Sequence, residues 1–325
     1  MNINIDKYYN HDKTVVVFED NFNSPFEKMR FYETVLSITF GNSFNQPISG
    51  IAFPSNLQSI TFGWCFNQRL DYIIFPKKLQ SITLGYNYNQ PIERIKLPAS
   101  LHTLIFGYLF NHPIENMKFP KNLHTLTLSY YYNQPVELII FPDKIQSLEF
   151  KFQFNQPVEN IRFPHHLQLL CFGSNFDQNI TKIKFPYKLQ SITFGFKFNQ
   201  PIMDVKFSSS LLSITFGSNF NQSFINLPYN IKNLYISNIN NVKDIQIPNI
   251  CFITKFANRD QMDCLSDKIT EIIIEYFEMH NYMTNLPYSV QKIKICGNSA
   301  VISKRLIRIP FGCIVTDAYD NVIEM

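Results

Sequence analysis

A four-residue motif recurs along this chain at a constant interval of 22 residues. A fixed period in this range is typical of a solenoid, in which each repeat forms one coil of a stack. Weaker copies at 22–25, 66–69, 176–179 and 220–223 keep the register and bring the number of copies to ten. The most regular copies are Phe44-Asn45-Gln46-Pro47, Tyr88-Asn89-Gln90-Pro91, Phe110-Asn111-His112-Pro113, Tyr132-Asn133-Gln134-Pro135, Phe154-Asn155-Gln156-Pro157 and Phe198-Asn199-Gln200-Pro201.

Each repeat is too small to fold alone. The full unit reads approximately L-x-S-I-T-F-G-x-x-F-N-Q-P-I-x-x-I-x-F-P with two linking residues, and about seven of its positions are apolar. Burial of so few side chains does not offset the conformational entropy lost when the whole repeat becomes ordered. Neighbouring coils must therefore share one interior.

The S-I-T-F segment of each repeat predicts a short strand. Polar and apolar residues alternate there, so that Ile60 and Phe62 point inward while Ser59 and Thr61 point outward. Strands of successive coils run in the same direction and are expected to pair as a parallel sheet. The I-x-x-I-x-F-P segment is expected to lie opposite as a second short strand or extended stretch, and no segment has the periodicity of a helix.

Proline and glycine positions support this register. Fourteen of the 18 prolines fill two slots, one in the Asn-x-Pro motif and one after the last apolar residue of the repeat, where no ladder hydrogen bond is lost. Seven of the 10 glycines directly follow the predicted strand. Ser129 and Lys151 fill the same slot in other coils, so we do not expect a strict requirement for positive φ there.

Irregular repeats are predicted beyond residue 229. Apolar residues follow Pro54 at offsets of three, six and eight, and the same offsets follow Pro228, Ser266 and Pro287. The predicted organisation is an N-terminal extension at 1–12, ten regular repeats at 13–229, degenerate repeats of the same solenoid at 230–310 and a C-terminal cap at 311–325. No second domain is expected.

The F-N-Q-P-I motif at this period resembles the FNIP repeat family, a divergent relative of leucine-rich repeats found in slime moulds and large viruses of amoebae. The resemblance covers about residues 13 to 229. It implies a mainly β, curved, leucine-rich-repeat-like solenoid with a parallel sheet on one face, and a role in protein recognition. Several relatives carry an N-terminal F-box that links them to ubiquitin ligases. Only about a dozen residues precede the first coil here, so an F-box is not expected.

One asparagine per coil forms a column that is predicted to be structural. A side-chain amide in a tight turn can bond to the backbone N–H and C=O groups of neighbouring coils. Every coil carries the residue, with Asp177 as the one replacement, so a structural ladder is favoured over a ligand site. The ladder contains Asn45, Asn67, Asn89, Asn111, Asn133, Asn155 and Asn199, with Asn23 and Asn221 in weaker copies.

The position after the glycine slot carries an aromatic residue in five adjacent coils. These residues, called the aromatic ridge below, are Trp64, Tyr86, Tyr108, Tyr130 and Phe152. Aromatic side chains are enriched in binding hot spots, which predicts a protein-binding surface. The alternative is that the rings fold back over the turn as half-buried packing, and the pattern leaves both open because strand parity is lost in the turn.

Other surface columns are assigned weaker roles. The outward serine and threonine positions fit β-propensity better than an ice-binding plane. His102 and His124 share a slot without a third ligand, so no metal site is predicted. A column of acidic residues stands beside a column of basic ones, which indicates a solvated face rather than a nucleic-acid site. The two columns are Glu93, Glu115, Glu137, Glu159 and Lys96, Lys118, Arg162, Lys184, Lys206.

Composition and motif content disfavour several further classes. A formal net charge of +4 is too small to imply a polyanionic partner, and the six cysteines lack a C-x-x-C pair, so we expect reduced thiols. The polar start and the absence of any apolar run near the ~20 residues of a membrane span predict a cytoplasmic, intracellular protein without signal peptide or transmembrane segment. No catalytic or nucleotide-binding motif is present, so neither an enzyme nor a cofactor is expected.

The sequence therefore predicts a non-enzymatic protein-protein interaction scaffold with an unidentified protein partner, and with neither membrane nor nucleic acid as partner. The alternative is a substrate-receptor component of a ubiquitin ligase that acts through a separate adaptor. Capture of ligase subunits from a lysate would distinguish the alternative from the scaffold.

Overall fold

The computed structural model of the chain describes residues 5–25, 29–238, 242, 245, 247, 250–254, 265–275 and 286–324. The chain divides into two units, Met1–Leu189 and Gln190–Met325. Both units are stacks of coils that each contribute one strand to a parallel sheet, which confirms the predicted leucine-rich-repeat-like β-solenoid. The coils of the first unit have the predicted 22 residues, whereas those of the second unit vary in length.

The first unit contains eight strands that pair in chain order and in register. Each strand residue faces the residue 22 positions further along the chain, as in Ser37↔Ser59 and Ile38↔Ile60. The central residue of every strand is buried while its neighbours remain at least partly accessible, as the alternating pattern predicts. The strands are β1 (Val15–Val17), β2 (Ser37–Thr39), β3 (Ser59–Thr61), β4 (Ser81–Thr83), β5 (Thr103–Ile105), β6 (Thr125–Thr127), β7 (Ser147–Glu149) and β8 (Leu169–Cys171).

Three turns complete each of the coils that begin with β2 to β8, and one of them corrects the sequence prediction. In the third coil the N–H groups of Phe66, Ile73 and Leu79 donate to the C=O groups three residues earlier, at 3.3, 3.3 and 3.1 Å. The I-x-x-I segment is thus a turn, rather than the second short strand or extended stretch that the sequence predicted. Its two apolar residues lie three apart, so a turn directs both inward, and the nearby prolines offer no N–H group for a second ladder.

Aromatic columns run through the interior of the first unit and reveal its curvature. Ring centroids in successive coils are 5.2 Å apart for Phe40–Phe62, next to the sheet. They are 5.9 Å apart for Phe44–Phe66 and 6.5 Å apart for Phe31–Phe53, on the far side of the coil. The coils of this unit therefore fan out away from the sheet, which lies on the concave side.

Close approach of successive coils explains the glycine slot. A Cβ atom placed on Gly63, Gly85 or Gly107 would lie 2.1, 2.0 or 1.7 Å from the C=O oxygen of the same slot in the preceding coil. None of these glycines has a positive φ, as expected from the other residues that share the slot. Ser129 is such a residue, and its buried hydroxyl donates to the C=O group of Phe110.

The second unit continues the pattern with longer and less regular strands. Apolar residues of the degenerate coils point inward, as Ile272, Ile274, Ile293 and Ile295 are all buried. Within the described residues its α-helix is α1 (Ser299–Ile302), a single turn that the sequence pattern did not predict. The strands are β9 (Ser191–Thr193), β10 (Ser213–Thr215), β11 (Asn233–Ile236), β12 (Ile250–Thr254), β13 (Ile269–Ile274), β14 (Lys292–Ile295) and β15 (Ile314–Thr316).

The segment before β1 covers the first coil. Tyr9 pairs with Val16 in an antiparallel bridge, on the edge of β1 that β2 does not occupy. The Tyr8 ring packs 4.8 Å from the Phe18 ring, at the open end of an aromatic column. The chain between Asp6 and Tyr9 therefore caps the stack, because it pairs an edge strand that would otherwise be exposed.

A returning segment covers the last strand in the same way. Val322 pairs with Thr316 in an antiparallel bridge on β15. The Asp320 carboxylate accepts hydrogen bonds from Lys292 and Lys294 of β14 at 3.0 and 2.8 Å, which ties the returning segment to the sheet. The boundaries proposed for the extension, the degenerate repeats and the C-terminal cap stay predictions.

Candidate protein-binding surface

The aromatic ridge forms one continuous stack in the first unit. Its ring centroids are 4.0, 4.2, 4.2 and 4.6 Å apart from Trp64 to Phe152, with interplanar angles of 14° or less. Trp64 is 52% exposed and the other four side chains are half-buried. Since the rings cover one another face to face, solvent meets mainly their edges.

Backbone hydrogen bonds hold the ridge in register. The residue after each ring donates its N–H group to the C=O group of the ring residue one coil earlier, as in Asn87 to Trp64 at 2.8 Å and Leu109 to Tyr86 at 3.0 Å. These bonds repeat the parallel spacing of the sheet just beyond its edge. The side chains that follow the glycine are therefore forced into one column, and flat rings fill this spacing by stacking.

The central tyrosine of the ridge is held in its neutral form. Desolvation raises the pKa of Tyr108, and the hydroxyl groups of Tyr130 and Tyr86 raise it further. Tyr108 therefore presents a neutral hydroxyl, which can both donate and accept hydrogen bonds.

Tyr131 extends the ridge sideways and is a residue that the sequence analysis missed. It is 43% exposed, and its ring lies edge-on to Tyr108 at 5.4 Å and tilted against Tyr130 at 5.6 Å. The sequence did contain an indication of this residue, because Tyr131 places an aromatic ring in a slot that holds Asn87 and Leu109 in the two preceding coils. Edge-to-face contact with the stack gives the ridge a second, accessible ring.

The asparagine column forms hydrogen bonds from coil to coil. The Asn45 Oδ1 atom accepts the backbone N–H of Asn67 at 2.9 Å and the Gln68 side-chain amide at 2.9 Å. The same backbone bond recurs at 2.8–3.0 Å for Asn67, Asn89, Asn111, Asn133, Asn155 and Asn199 as acceptors. Each bond satisfies a turn N–H group that the sheet ladder does not reach. The energetic role of this ladder stays a prediction.

The two histidines that share a slot lie close together. The rings of His102 and His124 are 5.0 Å apart in an edge-on arrangement. Within the described ranges no group of three or more histidine, cysteine or acidic residues could hold a metal ion. The pair is therefore a surface contact between neighbouring coils.

The cysteines are free thiols at the five positions that fall within the described residues, and Cys264 lies outside them. Burial, with a smaller effect of Glu149, raises the pKa of Cys171 to about 11. Burial, with a smaller effect of Glu271, raises the pKa of Cys251 to about 12. A thiol with a raised pKa carries little thiolate at neutral pH and is a poor nucleophile.

The helices of the described residues include none that is long and apolar enough to cross a membrane.

Three solved structures show similarity to this chain, and two of them are described as leucine-rich-repeat proteins. CroV588, described as a circular leucine-rich-repeat protein, is 28% identical with a TM-score of 0.58, and the match covers 88% of this chain but 43% of that protein. The chain thus spans less than half the length of CroV588. YopM from Yersinia enterocolitica WA-314 is 12% identical over 96% of this chain and 85% of its own, with a TM-score of 0.31. A leucine-rich repeat protein from Bacteroides ovatus ATCC 8483 is 14% identical over 95% and 83%, with a TM-score of 0.22.

The family model of the FNIP repeat matches most of the chain. Its five matches cover residues 22–65, 66–109, 110–152, 154–197 and 198–239, and each spans two of the coils described above. No curated protein matches the chain. The matched segments carry the asparagine ladder and the aromatic ridge, and they make this chain a member of the FNIP repeat family.

Proposed function

We propose that the protein is a non-enzymatic protein-protein interaction scaffold, with the aromatic ridge as its contact region. The observation that carries this proposal is the unbroken stack from Trp64 to Phe152, of which one end is half exposed. FNIP repeats and the leucine-rich-repeat-like solenoid favour a repeat scaffold for protein interaction.

The ordered state of the ridge suits it to binding. Stacked rings have already lost their rotamer freedom, so a partner that docks on them pays little additional side-chain entropy. Trp64 and Tyr131 offer apolar area at the two accessible parts of the ridge, while the tyrosine hydroxyls offer polar contacts. Tryptophan and tyrosine are also the residue types that dominate measured hot spots.

A matched pair of variants tests the ridge as a binding surface. Trp64→Ala removes the exposed end of the ridge, whereas Phe196→Ala removes a 45% exposed aromatic residue from the same slot in the second unit. Partners captured from a lysate by the wild-type protein are quantified for both variants. We expect Trp64→Ala to reduce capture at least ~10-fold, the usual effect of a hot-spot residue, and Phe196→Ala to leave it unchanged. Equal capture by all three proteins would exclude the ridge as the contact region.

The alternative function is that of a ubiquitin-ligase substrate receptor that acts through a separate adaptor. It is supported only by the F-boxes that several FNIP relatives carry. The same captured fractions decide between the two functions, because recovery of ligase subunits supports the alternative and recovery of unrelated proteins supports the scaffold. Loss of the captured material after nuclease treatment would instead indicate nucleic acid and contradict both.

A further inference from the structure

A second surface lies on the side of the first unit that faces away from the sheet. One exposed residue per coil follows the turn of the I-x-x-I segment, and these residues stand in a single column, called the outer row below. The outer row contains Ile74, Lys96, Lys118, Ile140, Arg162 and Lys184, all of them exposed. In order along the stack it reads apolar, basic, basic, apolar, basic, basic.

The apolar positions of the outer row are unusually accessible. Ile74 is 90% exposed and Ile140 is 86% exposed. Each is reinforced by the residue two positions earlier, since Tyr72 is 79% exposed and Leu138 is 80% exposed. Single exposed aliphatic residues are ordinary, but two protruding pairs that recur at an interval of three coils form a pattern typical of a contact surface.

A groove adjoins the first of these pairs. It has a volume of about 430 Å³, and its lining includes Ala52, Phe53, Ile74, Phe75 and Lys77. The preceding coil carries Ala52 in the slot of the outer row, and a nearby glycine at 50 faces open space. An apolar side chain can enter this groove beside Ile74, with Lys77 at its edge.

The charged residues of the outer row are all positive. The four cations of the outer row have no ion-pair partner in the described part of the chain, and all are exposed. Of the four neighbouring carboxylates in the acidic column, Glu115, Glu137 and Glu159 are half-buried and Glu93 is exposed. Glu137 accepts a hydrogen bond from the Asn160 side-chain amide at 3.2 Å, and Glu159 pairs with Lys182 at 3.0 Å. The predicted cancellation of the two columns is therefore incomplete at the surface that a partner meets first.

Spacing defines the shape of the occupant. Phe rings on this side of the coil are 6.4–6.5 Å apart in successive coils. Alternate side chains of an extended peptide repeat at roughly 6.6 Å, about the same interval. An extended segment that runs along the stack can thus place one facing side chain on each coil.

We propose that the outer row binds an extended acidic segment of a partner protein whose facing side chains read apolar, acidic, acidic, apolar. The two apolar side chains cover the protruding pairs and the groove, and the carboxylates meet Lys96 and Lys118. This surface is separate from the aromatic ridge and does not depend on it. The groove beside Ile74 and the two protruding apolar pairs at a fixed interval favour a peptide over an anionic membrane.

A palindromic eleven-residue peptide tests this pattern in either direction of binding. The probe is fluorescein-labelled Glu-Ser-Leu-Ser-Glu-Ser-Glu-Ser-Leu-Ser-Glu, titrated with the full chain and followed by fluorescence anisotropy. We expect a Kd on the order of 10–100 μM, as for a short peptide with two apolar anchors. Weakening of at least ~10-fold is expected when lysine replaces every glutamate, or when the two leucines are moved to adjacent positions. Equal binding of the three peptides would overturn the proposal.

Variants of the protein locate the binding site. Ile74→Ser with Ile140→Ser and, separately, Lys96→Glu with Lys118→Glu are each expected to weaken peptide binding at least ~10-fold. Ile225→Ser, at a 64% exposed isoleucine of the second unit, and Trp64→Ala in the aromatic ridge should leave it unchanged. Circular dichroism melts establish that each variant is folded. Unaltered peptide binding in both double variants would contradict the assignment. The assignment would also be contradicted if the double variants still bound the peptide but lost binding to phosphatidylserine vesicles or lost self-association.

Discussion

The regular coils of the first unit and the irregular coils of the second maintain a parallel stack by different means. In the first unit each strand has three residues, and the asparagine ladder, the glycine slot and the aromatic columns all repeat with the strand. From β11 onward, within the described residues, the strands lengthen to between four and six residues until β15. The difference indicates that side-chain columns can replace backbone ladder bonds, and that longer strands take over where the columns end.

Substitution in the glycine slot of the first unit should cause the largest loss of stability. Gly107→Val places a branched side chain where a Cβ atom would already lie 1.7 Å from the Gly85 C=O oxygen. Ser129 and Lys151 show that the slot accepts a Cβ in other coils, so the loss comes from the branched bulk of valine at a close approach. We expect the free energy of unfolding to fall by ~3 kcal/mol. Thermal melts and hydrogen exchange measure this effect.

Gly50→Ala is the matched control for that slot. Gly50 has a positive φ of 90° but faces open space, so its replacement costs only the strain of a left-handed conformation, ~1 kcal/mol. Similar losses in both variants would show that coil spacing does not depend on the close approach.

Substitutions in the asparagine ladder should cause the next largest loss of stability. Asn89→Ala removes the acceptor of the Asn111 backbone N–H, which lies 3.0 Å from the Asn89 Oδ1 atom. We expect a loss of ~1–3 kcal/mol, the usual effect of an orphaned hydrogen-bonding group. Asn87→Ala, two residues away in the same turn, serves as the control and should change the melting temperature little. An unchanged melt for Asn89→Ala would refute the structural role of the ladder.

Each residue of the aromatic ridge should contribute less to the free energy of unfolding than a residue of the asparagine ladder. Within the ridge, a central residue should contribute more than a residue at the end. Tyr108 stacks on two rings at 4.2 Å, whereas Trp64 stacks on one at 4.0 Å. With ~0.5–1.5 kcal/mol per aromatic pair, Tyr108→Ala should destabilise the fold about twice as much as Trp64→Ala. Chemical denaturation measures both, and equal effects would indicate that the stacking itself contributes little.

Two buried tyrosines of the core column should give the smallest change in stability, and their substitution should stabilise the fold rather than destabilise it. The hydroxyls of Tyr88 and Tyr132 are buried and have no hydrogen-bond partner among the residues that the structure describes, at positions where other coils carry phenylalanine. Replacement of either by phenylalanine should raise the free energy of unfolding by about 1 kcal/mol at neutral pH, because a desolvated hydroxyl is removed. A fall in stability on denaturant unfolding would show that the hydroxyls are solvated or bonded.

These tyrosines also predict how stability responds to alkaline pH. Burial, with a smaller effect of Asp71, raises the pKa of Tyr88, and burial with a smaller effect of Glu115 raises that of Tyr132. The unfolded chain therefore releases these protons first, near pH ~10. The contribution of the neutral hydroxyls is complete below that pH and is lost as the pH rises above it. The Tyr88→Phe, Tyr132→Phe double variant should lose less stability between pH 9 and 11 than the wild type.

The 22-residue period was sufficient to predict which residues share a column. The inward strand positions, the parallel register and the coil-to-coil contacts of Asn45 and of His102 all follow from stacking equal repeats. The period could not show how a side chain leaves a turn. The face-to-face stacking of Trp64 and Tyr86 is one such feature, and the turn that replaced the predicted second strand is another.

The candidate surfaces were less predictable than the fold, because the period does not show how a side chain leaves a turn. The ridge was visible as a column, but its accessibility depends on ring rotation about the turn. The outer row was visible as a column of basic residues, and its apolar members Ile74 and Ile140 were not singled out because they lie within apolar segments. Their exposure follows from the turn, which buries the residue before each of them and turns the next one outward.

The central claim, that successive repeats stack as coils in register, is tested most directly by distances along one column. Spin labels carried on non-canonical amino acids at positions 52, 118 and 184 leave the native cysteines intact. With coils 6.4–6.5 Å apart on this side, pulsed dipolar spectroscopy should give about 19 Å between 52 and 118 and about twice that between 52 and 184. Broad distributions, or a 52–184 distance no longer than the 52–118 distance, would contradict the stack.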